Sequence, residues 1–132
     1  MGRLDGKTVM VTGAGTGFGQ QLAIKAAEEG AARVIVHYRS STAGAEQTAA
    51  SVRDAGAEAA LIQGDISSWD EIKRMAEEAG DVDALVNNVG DMASSQTSWR
   101  ELDESVLDHV LDVDIKGTML MVHEFGVRML DR

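Results

Sequence analysis

The chain has 132 residues, no cysteine, no proline and a formal net charge of −10. That length predicts one domain with room for a real core, and the missing cysteines exclude a disulfide framework and thiolate metal sites. The acidic balance argues against a nucleic-acid binder, which needs a basic stripe. No apolar run reaches the roughly 20 residues of a membrane span, and the first residues lack the apolar segment of a signal peptide. A cytoplasmic protein without nucleic-acid or membrane partners is expected.

The elements follow in chain order. Lys7–Thr12 (KTVMVT) reads as a buried strand. A helix follows from Gly17 to about Glu29, with Gly30 where a left-handed cap would end it. Arg33–Tyr38 (RVIVHY) is a second strand, and a helix over about 43–55 comes next, with Thr42 as its N-cap and Gly56 past its end. Ala59–Asp65 (AALIQGD) is a third strand. Ser68 and Glu71 then have capping-box spacing for a helix running to Ala79 and stopped at Gly80. Asp83–Asn88 (DALVNN) is the fourth strand. After a polar loop carrying Ser94, Ser95 and Ser98, residues 101–132 read as one long helix. Strict alternation of strand and helix implies parallel pairing with right-handed crossovers. The expected fold is a doubly wound α/β sheet, with residues 1–132 as one unit.

Gly13, Gly15, Gly17 and Gly19 crowd the turn between the first strand and the first helix. A Walker loop is excluded, because no lysine occurs between Lys7 and Lys25. The common G-x-G-x-x-G fingerprint fails as well, since counting from Gly15 its third glycine falls on Gln20. The pattern T-G-x-x-x-G-x-G does fit, on Thr12, Gly13, Gly17 and Gly19. Glycines there let the chain turn off the strand and let backbone N–H groups approach a pyrophosphate, at the positive end of a helix. Two other readings stay open. Gly13-Ala14-Gly15-Thr16-Gly17 also fits the G-x-G-x-G loop of a methyltransferase that uses S-adenosylmethionine, and the fold could serve as an interaction module that has lost its ligand. Both NAD binders and such methyltransferases want an acid at the end of the second strand, for the ribose hydroxyls. Here Tyr38 and Arg39 stand there, inside an acid-free stretch from Gly30 to Ala45. A guanidinium suits a 2′-phosphate by charge and by bidentate geometry, so NADP is expected rather than NAD.

With these motifs the chain resembles the short-chain dehydrogenase/reductase family over essentially its whole length. TGAGTGFG stands for that family's TGxxxGxG, Asp65-Ile66 for its adenine-contacting acid, and Asn87 to Gly90 (NNVG) for its NNAG. The resemblance implies a Rossmann-type sheet in the order 3-2-1-4 and an NAD(P)-dependent oxidoreductase. It places the cofactor against Gly13, Thr16, Gly17, Phe18 and Gly19 on the loop, and Tyr38, Arg39 and Ser40 after the second strand. Asp65 would receive the adenine amino group beside Ile66, and Asn87 and Gly90 would line the cofactor and brace the sheet.

The family's chemistry uses a tyrosine, a lysine four residues on, and a serine. Tyr38 is the only tyrosine and residue 42 is threonine, so no Y-x-x-x-K can be written in these 132 residues. The family's helix asparagine aligns with Asp114 in DIKG, which reads better as an exposed helix acid. His37, His109 and His123 have neither metal-site spacing nor a partnered nucleophile, and read as surface or core histidines. The expectation is therefore a cofactor-binding half without catalytic residues or a metal, inactive alone. Its last helix is apolar around most of its circumference and its fourth strand is an open edge. A homodimer or larger assembly through about residues 103–130 is expected.

Overall fold

The computed structural model describes residues 2–90 and 98–132, so Ser94 and Ser95 lie outside the described residues. Four strands, β1 (Thr8–Val11), β2 (Arg33–Tyr38), β3 (Glu58–Gln63) and β4 (Ala84–Val86), form one parallel sheet in the order β3-β2-β1-β4. This is the expected doubly wound order. In register, Met10 of β1 lies between Ile35 of β2 and Leu85 of β4. Helices α1 (Gly17–Glu28) and α2 (Thr42–Asp54) cover one face, and α3 (Trp69–Ala79) and α5 (Thr118–Leu130) the other. A strand covered on both faces is apolar on both, which is why Val9–Val11 of β1 and Val34–Val36 of β2 read as unbroken runs, while His37 is buried in β2 with both ring nitrogens bonded.

Alternation along the strands divides the core in two. Val9, Val11, Val34 and Val36 pack on the alanines of α1 and α2, whereas Met10, Ile35 and Ile62 pack on Ile72, Met75, Met121 and Phe125. The glycine stops behave as expected. Gly30 has φ +95°, its amide bonds the Ala27 carbonyl, and the Ala31 amide bonds the Ala26 carbonyl. Gly56 ends α2 with the same paired bonds, to Arg53 and Val52, a Schellman arrangement at both helices.

Several boundaries differ from the sequence reading, each for a local reason. Thr42 is the first helical residue, not the cap; its amide turns back to the Ser40 carbonyl at 2.9 Å, and Ser41 precedes the helix without a side-chain capping bond. Ser68 does cap α3, but Glu71 pairs with Arg74 at 2.9 Å, so only half of the capping box forms. β4 is shorter than expected because the Asn88 amide leaves the ladder for the Thr12 hydroxyl, at 2.9 Å.

The last helix is also not uniform from residue 101. A 3-10 turn at Trp99–Glu101 comes first, and Asp103 then caps α4 (Glu104–Val110) by accepting the Ser105 amide at 2.9 Å. A widened π-type stretch, Leu111–Gly117, joins α4 to α5. Val113, Gly117, Met121 and Phe125 form the buried row at four-residue spacing, and a side chain at Gly117 would lie 2.9 Å from the Ile66 carbonyl. Leu111, Ile115, Met119 and Val122 make an exposed apolar row on the same rod.

Phe125 is 2% exposed and Trp99 82%. Phe125→Ala should therefore cost about 3–5 kcal/mol in urea denaturation, while Trp99→Ala should stay within about 0.5 kcal/mol of the parent.

Candidate functional site

The site begins where β1 ends. Thr12 is buried, and its hydroxyl accepts the amides of Asn88 (2.9 Å) and Val89 (3.2 Å), tying the exit of β4 to the exit of β1. The next two residues are held at every polar group. The Gly13 amide donates to His37 Nδ1 at 3.0 Å, and the Gly13 carbonyl accepts from Asn88 Nδ2 at 3.2 Å. The Ala14 amide donates to the His37 carbonyl at 2.8 Å, and Thr48 Oγ1 lies 2.8 Å from the Ala14 carbonyl.

The chain then turns sharply, with φ +62° at Gly13 and +57° at Gly17, a region in which side chains are strained. Gly19 is needed for a different reason, because a side chain there would collide with the Gly13 carbonyl and the Asn88 amide nitrogen. Its lack of a side chain lets the first turn of α1 lie against the loop. Thr16 precedes α1 without a side-chain capping bond, and no acid occupies the first turn. The opening amides of a helix lack intrahelical partners and carry its positive pole. That pole is left uncompensated by side chains.

A cleft of about 340 Å³ opens between this loop and the carboxyl ends of β2, β3 and β4, the size of a small-molecule site. Gly13, Thr16, Gly17 and Phe18 form one wall, and Tyr38, Arg39 and Ser40 a second. Asp65 and Ile66 supply the third, and Gly90 the fourth. Ten residues singled out in the sequence thus meet at one place. Gly19 stands behind the wall rather than in it, and Asn87 is exposed and outside the lining. Asn88, its neighbour, makes the bracing bonds. The signal for this was strand alternation, since Asn88 shares a face with Val86, and the next residue back points the other way. Gly15 of the glycine turn lines the cleft too, and so do Ser41, Gly64 and Val113, which the sequence reading did not single out. His37 lines it too, and is a buried residue at 1% exposure, one of the two placements expected for it.

Arg39 and Asp65 face one another across the cleft, with Nε and Oδ2 4.0 Å apart. Burial pushes the Asp65 carboxyl up, but the Ser67 hydroxyl and amide, at 2.7 and 2.9 Å, and the Arg39 charge outweigh it and hold it below the usual carboxylate range. Asp114 is half-buried rather than exposed: a side chain at Gly90 would come within 3.9 Å of its Oδ1, so the acid faces the exit of β4. Ser98 accepts the Arg100 amide at 3.2 Å and so starts the 3-10 turn. His109 and His123 are exposed, the latter edge-on to Trp69. Among the described residues no cluster of three or more acids and histidines could hold a metal, and no helix is long and apolar enough to cross a membrane.

The sequence profile of the short chain dehydrogenases matches residues 7–132, and the chain belongs to that family. Membership sets the methyltransferase reading aside. The 3-oxoacyl-(acyl-carrier-protein) reductase of Staphylococcus epidermidis is 34% identical over 94% of this chain and 51% of its own length. The 3beta-hydroxysteroid dehydrogenase 1 of Eggerthella lenta is 33% identical over 98% of this chain and 50% of its own. A Burkholderia cenocepacia protein solved with bound NADP superimposes with a TM-score of 0.86 at 33% identity, over 93% of this chain and 48% of that one. An NADH-dependent reductase complexed with NAD does so with 0.84 at 27% identity, over 96% and 53%. The chain spans about half the length of the curated relatives it matches.

Thr48 is fully buried and its single hydroxyl proton is shared between the carbonyls of Ala14 and Gly44. Thr48→Val keeps the shape and leaves the Ala14 carbonyl unpaired. Urea denaturation should register a loss of about 1–3 kcal/mol.

Proposed function

We propose that the chain is the NADP(H)-binding portion of a short-chain dehydrogenase-type oxidoreductase, acting in the cytoplasm. The observation that carries this reading is Arg39 at the rim of the cleft, beside Ser40 and with no carboxylate at the end of β2. The residues present fit a dinucleotide. The polar groups of Gly13 and Ala14 are already committed, so the opening amides of α1 and the glycine backbone are what the cleft offers to a pyrophosphate. Asp65, held ionised, accepts from the adenine amino group. Gly90 and Ile66 flank the base and ribose path, and Phe18, 73% exposed at the mouth, covers it from the solvent side. Arg39 exchanges its long contact with Asp65 for the 2′-phosphate.

When bound, the nicotinamide nucleotide supplies or accepts hydride. The protein's share of that chemistry needs a tyrosine–lysine pair, and these 132 residues contain no Y-x-x-x-K. The chain as it stands binds nucleotide without turning over alcohols or carbonyls.

The two structural relatives hold different nucleotides, so the choice here rests on this chain's own residues. A charge-assisted phosphate contact is worth roughly 1.5–3 kcal/mol. Calorimetry should accordingly give NADP at least about tenfold tighter than NAD, and Tyr38→Asp combined with Arg39→Ala should reverse the order. Equal affinities in the parent would overturn the assignment.

The exposed row Leu111, Ile115, Met119 and Val122 leads us to propose a homodimer or larger assembly through about residues 103–130. Light scattering at tens of micromolar should give at least a dimer mass, and Ile115→Glu with Met119→Glu should give a monomer. A monomeric parent would refute the assembly and leave the nucleotide assignment standing.

A further inference from the structure

His37 borders the cleft yet is almost inaccessible, and nothing in the binding scheme above uses its side chain. Its ring is bonded at both nitrogens. Nδ1 lies 3.0 Å from the Gly13 amide, which can only donate, and Nε2 lies 2.9 Å from the Gly64 carbonyl, which can only accept. Those partners admit one protonation state, the neutral ring with its hydrogen on Nε2. Gly13 opens the glycine loop and Gly64 opens the loop that carries Asp65. One imidazole therefore spans the floor of the cleft between two of its walls. The backbone runs alongside: Ala14 donates to the His37 carbonyl at 2.8 Å, and Gly64 to the Tyr38 carbonyl at 3.1 Å.

We propose that His37 is a positioning residue for nucleotide binding, its neutral imidazole setting the distance between the glycine loop and the Asp65 loop, and that a proton on Nδ1 breaks the Gly13 bond and loosens the site. The inference rests on the nucleotide-binding reading. Protonated Nδ1 is a donor facing the Gly13 N–H, donor against donor. Burial holds the ring's pKa below 6.5, against the Gly64 carbonyl and the Asp65 charge, which pull it up. Asp65 is the carboxylate facing the ring from the loop after β3, and Arg39, two residues beyond His37, is engaged with Asp65. Arg74 of α3 lies beside Gly64, and neither residues 13–18 nor residues 88–90 carry a titratable side chain. Because the bound form needs the neutral ring, affinity is full above the ring's pKa. It falls as pH drops through that value, by up to about tenfold per pH unit.

The test is calorimetry with NADP across about pH 8 to about pH 5, on the parent chain, His37→Gln and His37→Phe. Glutamine offers a donor nitrogen and an acceptor oxygen at every pH, and phenylalanine offers neither. Acid losses common to the parent and His37→Gln belong to the 2′-phosphate and to Asp65. Beyond that shared loss, the parent should weaken several-fold more, and His37→Phe should bind poorly throughout. In the nucleotide-free parent, the NMR shift of the Gly13 amide should follow the His37 ring with the same midpoint. Parallel pH profiles for the parent and His37→Gln would overturn the proposal, as would a Gly13 amide indifferent to the ring. Failure of the parent to bind any nucleotide at about pH 8 would instead overturn the reading beneath it, and the amide titration would still decide whether the ring holds Gly13.

Discussion

The dipeptide Gly13–Ala14 has four polar backbone groups, and each is taken by a different atom of the fold. His37 supplies two of those atoms from β2, Asn88 one from beyond β4, and Thr48 one from α2. A buried backbone group left unpaired costs about 1–3 kcal/mol, so the loop cannot drift without breaking bonds in three separate elements at once. The consequence is a turn whose shape is settled before any ligand arrives. A site arranged in advance loses less freedom on binding, which is how a loop of small residues achieves useful affinity.

That constraint depends in turn on how closely the layers approach. On the α1–α2 side the sheet valines meet mainly alanines, Ala23, Ala26, Ala27 and Ala45, and short side chains bring the helices near the sheet. The nearness allows Thr48 to reach Ala14 and Gly19 to sit against Gly13. On the other face Met75, Met121 and Phe125 fill a deeper gap, and Gly117 lets the α4–α5 rod lie close to the Ile66 backbone. The same rod turns Asp114 toward the exit of β4 and leaves its other side, Leu111 to Val122, facing solvent. A four-stranded sheet presents too narrow a face to cover both sides of such a helix.

Much of this was legible beforehand because it is local. Glycine spacing, the apolar runs of β1 and β2, and the capping pattern at Gly30 and Gly56 each depend on neighbours in sequence, and each is found where expected. The charged rim was legible too, since Arg39 needs only its place at the end of a strand to reach the cleft. The details that differ share one cause. Thr42 lost the cap position to a turn at Ser40, β4 lost its last residues to the Thr12 hydroxyl, and the final helix was broken by the Asp103 cap and a widened turn. In each case a specific hydrogen bond or a change of helical pitch outweighed the periodicity from which the element was read.

Alternation by itself determined the parallel α/β architecture, and glycine spacing a turn at the end of the first strand open to an anion, while the strand order came from the resemblance to the family. The first two follow from rules that act over a few residues. Only the tertiary structure decided that the Asn88 side chain takes the Gly13 carbonyl as its partner, that His37 is locked between Gly13 and Gly64, and that Asp114 is half-buried. The bonds concerned join residues 24, 27 and 75 positions apart. Which of two adjacent side chains makes such a bond is set by strand register and layer spacing, and those exist only once the sheet has closed on its helices.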